Sequence, residues 1–163
     1  MELLSSFPSR KTERLCIRPL IADDATPVAV LTDDPTITDV VHFLPSPFTL
    51  SDAQALIGSQ DAENCFLGVW LGADLIGVIG THAHGDDRLE VGYWIGSRFH
   101  RQGYATEAVS TVISQLRRLY PARLITAECR RGNEGSWSLL HKLGFRSTGA
   151  QGNRPGRELL AVQ

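Results

Sequence analysis

An α/β (α+β) domain, built on a mixed and mostly antiparallel sheet with helices on both faces, is the fold class that the sequence predicts. The chain has 163 residues, 42% hydrophobic and 21% charged, which suits one globular domain with a real core. Strand-like and helix-like segments alternate along it, as in sheets covered by helices. A meander of three short strands also precedes the longest predicted helix.

The first third of the chain predicts one strand and three helices. Polar and apolar side chains alternate over residues 14–20, the pattern of a half-buried strand. An aspartate of the pair 23–24 can cap a helix through about residue 31, because a short carboxylate accepts hydrogen bonds from the free first-turn amides. A short helix is predicted at 36–41. The T-x-x-D sequence at 49–52 predicts a capped helix that ends near residue 59.

Three strands and the longest helix come next. Residues 66–71, 75–82 and 89–95 resemble strands separated by turns rich in Gly and Asp, which predicts an antiparallel meander. An apolar stripe at helical spacing then predicts one helix over residues 105–119, with a polar opposite face that includes Gln115. The residues of the stripe are Ala105, Ala108, Val109, Val112, Ile113, Leu116 and Leu119.

The last third predicts a strand, a helix and two closing strands. The strand covers residues 123–129 and the helix 133–143, where a glycine follows its last turn. The closing strands are predicted at 145–148 and 157–162.

Composition and charge exclude several classes of protein. No linker or repeat divides the chain, so residues 1–163 are expected to form one domain, with 1–11 as an N-terminal extension. The net charge of −2 argues against a nucleic-acid partner, and no apolar segment is long enough for a membrane span. Cys16, Cys65 and Cys129 form no CxxC pair and suggest reduced thiols in a cytoplasmic protein.

The junction between the strand at 89–95 and the long helix predicts an anion site. A helix start offers free backbone N–H groups and the positive end of the helix dipole. Gly103 allows close approach of a ligand to the backbone, and Arg98 and Arg101 add positive charge. Neither GxxxxGK[ST] nor a GxGxxG after a strand is present, which argues against P-loop and Rossmann nucleotide binding.

Several short motifs resemble one known family. His100-Arg101-Gln102-Gly103-Tyr104-Ala105 resembles the acyl-coenzyme A signature Q/R-x-x-G-x-G/A of the GNAT superfamily. The segments at 12–20, 90–95 and 133–145 resemble, in the same order, the opening strand, the central strand and the N-x-x-S…LGF block of the branch that contains ribosomal-protein N-terminal acetyltransferases. The match extends over about residues 12–162.

The resemblance implies a GNAT fold with a splayed cleft that holds acetyl-coenzyme A, and a cofactor-binding set. That set is Trp94, Ile95, Arg98, Arg101, Gln102, Gly103, Tyr104, Ala105, Thr106, Asn133 and Ser136. His100 replaces the first Gln or Arg of the signature, and Leu140 stands where many members have a Tyr. Because the implied pyrophosphate contacts are mainly backbone N–H groups, the first change should weaken binding little.

The implied reaction is attack of an amine on the acetyl thioester, and two residues are predicted to be catalytic. Glu90, a carboxylate in an otherwise apolar strand, is the candidate base, with a pKa expected to rise on burial. The alternative is a solvated carboxylate at a strand end. Ser136 is the candidate acid for the leaving thiolate, or simply a first-turn hydroxyl. Asn133 can cap its helix and, by the resemblance, contact the pantetheine arm.

The remaining predictions concern the acceptor. His82 and His84 lie two apart on a strand and are expected in the acceptor pocket or at a polar strand end; no metal site is predicted. His42 and the segment 33–51 are expected to line that pocket. The acceptor is expected to be a primary amine, a protein N-terminus or a small molecule, and a homodimer is common in the branch. The alternative function is a non-catalytic acyl-coenzyme A sensor.

Overall fold

The computed structural model describes residues 4–41 and 43–162. Its strands are β1 Arg10–Lys11, β2 Cys16–Pro19, β3 Asn64–Leu71, β4 Asp74–His84, β5 Arg88–Ile95, β6 Leu124–Cys129, β7 Arg146–Gln151 and β8 Glu158–Val162. Its helices are α1 Ala25–Thr32, α2 Pro35–Thr38, α3 Leu50–Gly58, α4 Tyr104–Leu119 and α5 Glu134–Lys142. The predicted order of elements is confirmed.

The strands form one mixed sheet in the order β1-β2-β3-β4-β5-β6-β8-β7. All neighbours are antiparallel except β5 and β6. That parallel pair is in register only from Arg88–Leu124 to Glu90–Thr126. Beyond Glu90 the two strands part, while β5 stays paired with β4 as far as Ile95. The sheet therefore splits into two halves at the position where the sequence predicts a cleft.

Helices cover both faces of the sheet and bury one core on each. On one face, α4 packs Val109, Val112 and Leu116 against strand residues such as Ile79 and Val91. On the other face, α1 and α3 pack against a second cluster of strand residues. Burial of this apolar surface is the main force that holds the layers together.

The long helix α4 follows its predicted stripe, with one exception. Ala108, Val109, Val112, Ile113 and Leu116 are buried, as the 3.6-residue period requires. Gln115 was expected on the polar face but is only 6% exposed. Gln115 lies beside the apolar stripe and is covered by neighbouring elements, and the helical periodicity of the sequence does not reveal this contact.

The start of the chain is more structured than an extension. β1 pairs with β2, and Leu4 and Phe7 lie in the larger core with 2% and 4% exposure. Two residues of strand give no usable alternation, so β1 was not predicted. Residues 4–11 therefore pack against the domain.

Capping was predicted correctly at α3 and incorrectly at α1. Thr49 and Asp52 form the expected capping box. The carboxylate of Asp24 caps no helix, because it accepts from the Ile21 backbone N–H and from both terminal nitrogens of Arg18. The charged guanidinium is a stronger partner than a first-turn amide.

Element ends also differ by a few residues from the prediction. α2 begins at Pro35 after an Asp34 cap and stops at Thr38, shorter than the helix predicted at 36–41. β7 runs to Gln151, beyond the predicted residue 148, and is exposed along its length. Within residues 4–41 and 43–162, no helix is both long and apolar enough to cross a membrane.

Candidate functional site

A cavity of about 560 Å³ opens where β5 and β6 part. The strand residues Glu90–Trp94 and 127–129 form its floor, and Asn133 and Ser136 at the start of α5 form one side. Val40, Phe43 and the segment around Arg154 close the others. The cavity thus joins the two faces of the sheet at the break in pairing.

Glu90 lies at the point where the break begins, and its carboxylate is 6% exposed. Arg154 binds it with two nitrogens: Nη2 lies 3.3 Å from Oε1 and Nη1 lies 3.3 Å from Oε2. The same Nη1 donates to Glu128 Oε2 at 3.2 Å, and the Arg154 backbone N–H donates to Glu128 Oε1 at 3.1 Å. One arginine therefore holds two buried carboxyl groups.

Glu90 and Glu128 are close enough to affect each other's pKa. Burial raises the pKa of Glu128, and its interaction with Glu90 raises it further. Glu128 therefore holds a proton more readily than Glu90 does.

The expectation that burial raises the pKa of Glu90 is wrong. Burial acts in that direction, but the hydrogen bond from Glu128 and the charge of Arg154 outweigh it, so the pKa of Glu90 lies below its ordinary value. The alternative of a solvated strand-end carboxylate is also contradicted by its burial. Glu90 is a buried and ionised carboxylate.

Both predicted histidines stand beside this pair. His84 Nε2 lies 3.5 Å from Glu90 Oε1, and His82 is paired with Glu90 across β4 and β5. His82 Nδ1 lies 2.8 Å from Asn64 Oδ1, which is an acceptor, so that nitrogen carries the proton. Burial lowers the pKa of His82 and keeps its ring neutral.

Neither histidine belongs to a metal site in the part of the chain that the structure describes. There, no group of three or more His, Cys, Asp or Glu side chains is arranged to hold a metal ion. His82 lines the cavity, in keeping with its predicted place near the acceptor. His42 lies outside the described residues.

Ser136 faces the cavity from the first turn of α5. Its Oγ lies 2.8 Å from the hydroxyl of Tyr93 on β5, and its backbone N–H donates to Asn133 Oδ1 at 3.3 Å. Asn133 thus caps α5 as predicted. Burial raises the pKa of Tyr93 to about 12, so this phenol keeps its proton at neutral pH and can donate it. Leu140, where many relatives have a tyrosine, is buried in the core.

The predicted anion loop lies past the carboxyl end of β5. Gly103 is the residue before α4 and has a φ of 81°, a left-handed conformation that glycine adopts without strain. Because no side chain caps this described helix start, the first-turn N–H groups of Tyr104, Ala105 and Thr106 stay available. Arg101 is also left-handed, at φ 60°. The backbone therefore presents free N–H groups at this end of the splay, as the predicted anion site requires.

Two side chains, one of them from the loop itself, hold that loop in place. Arg14 donates from Nε to Glu107 at 2.7 Å and from Nη1 to the Gln102 carbonyl at 2.9 Å. His100 Nε2 lies 2.7 Å from the Ile95 carbonyl and must donate to it. The histidine that replaces the usual first residue of the signature thus fastens the loop to β5.

The structure brings together only part of the predicted site. Glu90, Trp94, Asn133 and Ser136 line one cavity. Ile95 and the loop residues 98–106 do not line it and lie toward the other end of the splay. The six residues from Glu90 to Ile95 span roughly 17 Å of strand, so an extended ligand is needed to reach from Glu90 to the loop.

Four residues of the site were not predicted to act there: Tyr93 through its hydroxyl, Glu128, Arg154 and Arg157. Glu128 had a signal in the sequence, because it is a lone carboxylate in an apolar strand, as Glu90 is. Both arginines lie in the loop between β7 and β8, where no periodicity indicates which way a side chain points. Contacts across more than 60 residues are invisible to local patterns.

A family comparison agrees with this geometry. The chain matches the acetyltransferase (GNAT) domain over residues 14–146, and it therefore belongs to that family, whose members take their acetyl group from acetyl-coenzyme A. The chain is thus an acetyltransferase with a GNAT fold, as the sequence predicted.

The individual proteins compared with this chain share between 18% and 28% of its sequence. The uncharacterized N-acetyltransferase YnaD of Bacillus subtilis (strain 168) is 28% identical over 143 residues, which are 85% of this chain and 82% of YnaD. The acetyltransferase (GNAT family) from Bacillus anthracis has a TM-score of 0.81 at 24% identity and covers 95% of this chain and 98% of its own. Ribosomal-protein-S5-alanine acetyltransferase from Vibrio fischeri has a TM-score of 0.80 at 18% identity, over 94% of each chain. These two structures are similar in fold.

Proposed function

We propose that the protein transfers the acetyl group of acetyl-coenzyme A to a primary amine by direct attack, with Glu90 as the base. One observation carries this proposal. The pairing of β5 with β6 stops at Glu90, so an ionised and buried carboxylate stands at the inner end of a cleft that leads to the anion-binding turn before α4. A thioester in the cleft and an amine in the cavity would meet beside this carboxylate.

The cofactor side of the proposal uses the predicted binding residues. The amides of Tyr104, Ala105 and Thr106, with Arg98 and Arg101 nearby, would hold the pyrophosphate. The path of the pantetheine arm would be lined by the remaining residues of that set, which are Gln102, Gly103, Trp94, Ile95, Asn133 and Ser136. The free first turn and the left-handed Gly103 support this assignment.

The chemical step needs two proton transfers. The amine nitrogen forms a bond to the carbonyl carbon, the carbon–sulfur bond breaks, and the amine proton passes to Glu90 directly or through water. The departing thiolate takes a proton from Ser136, whose hydroxyl is in turn bonded to Tyr93. A backbone N–H near Tyr93 or Trp94 would stabilise the oxyanion.

A non-catalytic sensor of acyl-coenzyme A is the second candidate, because the cofactor turn alone would suffice for it. The first test is a thermal-shift titration with acetyl-coenzyme A against ATP and NAD. A saturable rise with acetyl-coenzyme A is expected, since a ligand that binds the native state stabilises it. No shift at millimolar concentration would remove the turn as a cofactor site.

Glu90→Gln then separates the enzyme from the sensor. The variant should keep the thermal shift and lose roughly 100-fold or more in thiol release with an amine panel. Gly58→Ala serves as a folding control far from the cleft, because a Cβ at that residue meets nothing within 4 Å. Wild-type protein that binds acetyl-coenzyme A and acetylates no amine would favour the sensor.

We also infer that the chain belongs to the ribosomal-protein N-terminal acetyltransferase branch of the family. The ordered motifs at 12–20, 90–95 and 133–145 support this inference. The catalytic use of Ser136 with leucine at residue 140 fits the same branch. Branch membership leaves the acceptor open.

A further inference from the structure

Arg157 is a half-buried arginine with an unused donor at the acceptor end of the cavity. It lines the cavity, and its Nη2 donates to the Val40 carbonyl at 2.6 Å. Its Nε is buried and has no hydrogen-bond partner among the described residues. A buried N–H without a partner is destabilising, so a ligand atom that accepts a hydrogen bond from it would remove this cost.

The charge of Arg157 is also unpaired. None of the ion pairs in the described part of the chain includes it, although the cavity contains three carboxyl groups. Glu90 and Glu128 are occupied by Arg154, and Asp39 is exposed. Burial lowers the pKa of Arg157, and the positive charges of Arg154 and Arg130 lower it further. Glu128 acts in the opposite direction without outweighing them, and an anionic ligand would supply the ion pair that Arg157 does not form with the described carboxylates.

The unpaired guanidinium lies close to the proposed base. Arg157 interacts electrostatically with Glu128 and Arg154, and both of these contact Glu90. Glu90 and Arg157 line the same cavity, so an acceptor whose amine lies at Glu90 has Arg157 in the wall around it. Arginine binds a carboxylate with two parallel N–H donors, and this geometry fits Nε and a terminal nitrogen.

One part of the cavity wall is aromatic. Phe43, Phe66 and Trp94 lie with ring centroids 6.1–6.5 Å apart, and the Arg157–Val40 hydrogen bond joins the segment before α3 to the loop before β8. A small side chain would pack on these rings. Arg157, which forms no ion pair among the described residues, would repel the second positive charge of a diamine or an aminoglycoside.

We propose that the acceptor is a small amino acid whose free carboxylate binds Arg157 while its amino group faces Glu90. This inference rests on the proposed acetyl transfer and narrows its acceptor. A protein N-terminus is disfavoured, because the carbonyl next to its amine is an amide and carries no charge for Arg157.

Three amines with one side chain test the proposal: leucine, leucinamide and 3-methylbutylamine. The wild-type protein should acetylate leucine with a kcat/KM about 10- to 100-fold above that of either neutral compound. Arg157→Ala should bring that ratio close to one. Arg157→Lys, which keeps the charge without the two parallel N–H donors, should give an intermediate ratio. Arg131→Ala removes an exposed arginine outside the cavity lining and should leave the ratio unchanged.

Binding of leucine, measured by calorimetry with coenzyme A present, separates this inference from the proposed function. The carboxylate site would be overturned by equal rates for leucine and leucinamide. It would also be overturned if Arg157→Ala lowered kcat/KM equally for all three amines. Neither result would contradict acetyl transfer. Failure of leucine to bind at 10 mM would likewise overturn the carboxylate site. Binding that depends on Arg157 without any acetyl transfer would support the site and overturn the proposed function.

Discussion

Glu90 on β5 and Glu128 on β6 lie at the break in the sheet, and Arg154 donates hydrogen bonds to both side chains. They come from strands that are still paired at Glu90–Thr126. The pKa of Glu90 is lowered and that of Glu128 is raised. The guanidinium that both side chains contact makes their burial tolerable where a lone carboxylate would not be.

Substitution by glutamine should distinguish the role of Glu90 from that of Glu128. Glu128→Gln keeps an N–H donor toward Glu90, and we expect kcat to stay within about tenfold of wild type and stability within ~1 kcal/mol. Glu90→Gln removes the ionised partner and should cost roughly 100-fold in kcat. Steady-state thiol release and urea denaturation measure the two effects. An equal loss of kcat in both variants would contradict the assignment of Glu90, rather than Glu128, as the base.

The same pair predicts how stability depends on pH. Because the pKa of Glu128 is raised, its contribution to stability is present below the ordinary glutamate pKa and is lost as the pH rises through the raised value. The lowered pKa of Glu90 acts in reverse, and its contribution is lost as the pH falls through the lowered value. Between about pH 4 and 8, Glu128→Gln should therefore gain stability relative to wild type as the pH rises. Parallel urea curves at four pH values test this, and a constant difference would refute it.

Removal of Arg154 should destabilise the protein strongly at neutral pH. Arg154→Ala leaves a buried carboxylate without its counter-charge, a loss of about 3 kcal/mol, and the loss should shrink at pH 4 because protonation removes the charge. Arg131→Ala is the matched control. It breaks an ion pair with Glu158 in which the arginine is 73% exposed, so it should cost less than about 1 kcal/mol. Similar losses in both variants would show that the buried cluster is not held by Arg154.

Gly103 should be far more sensitive to substitution than Gly58. Gly103→Ala forces a left-handed residue and sets a Cβ 3.2 Å from Arg14 Nη2, for a cost of about 1–2 kcal/mol. The affinity for acetyl-coenzyme A should fall as well, because the proposed turn loses its shape. Gly58→Ala, in α3 with open space around it, should be neutral or stabilising by about 0.5–1 kcal/mol. Thermal shifts with and without acetyl-coenzyme A report both quantities.

Tyr93 and Ser136 should act as a unit. Their hydroxyls lie 2.8 Å apart, so Tyr93→Phe and Ser136→Ala should each reduce kcat by about tenfold, while the double variant loses little more than either one. The KM for acetyl-coenzyme A should change less than kcat. Effects on kcat that multiply in the double variant would indicate that the two hydroxyls act independently.

Local pattern determined most of the fold. The stripe of α4, the capping box of α3, the glycine before α4 and the three-strand meander all appear as periodicity or as residues that suit one conformation, so the sequence predicts them well. The ordered motifs also predicted Glu90, Asn133 and Ser136 in one cleft, and these three residues line one cavity. These features depend on neighbours within a few residues.

Only the tertiary structure decided the direction of the Glu90 pKa and which residues belong to the site. Glu90 meets Arg154 across 64 residues, and Arg157 meets Val40 across 117. No local pattern encodes such a contact, because loop side chains have no periodicity. The direction of the Glu90 pKa was therefore predicted wrongly: burial could be inferred from the strand, but the partners that outweigh burial come from other strands and from a distant loop.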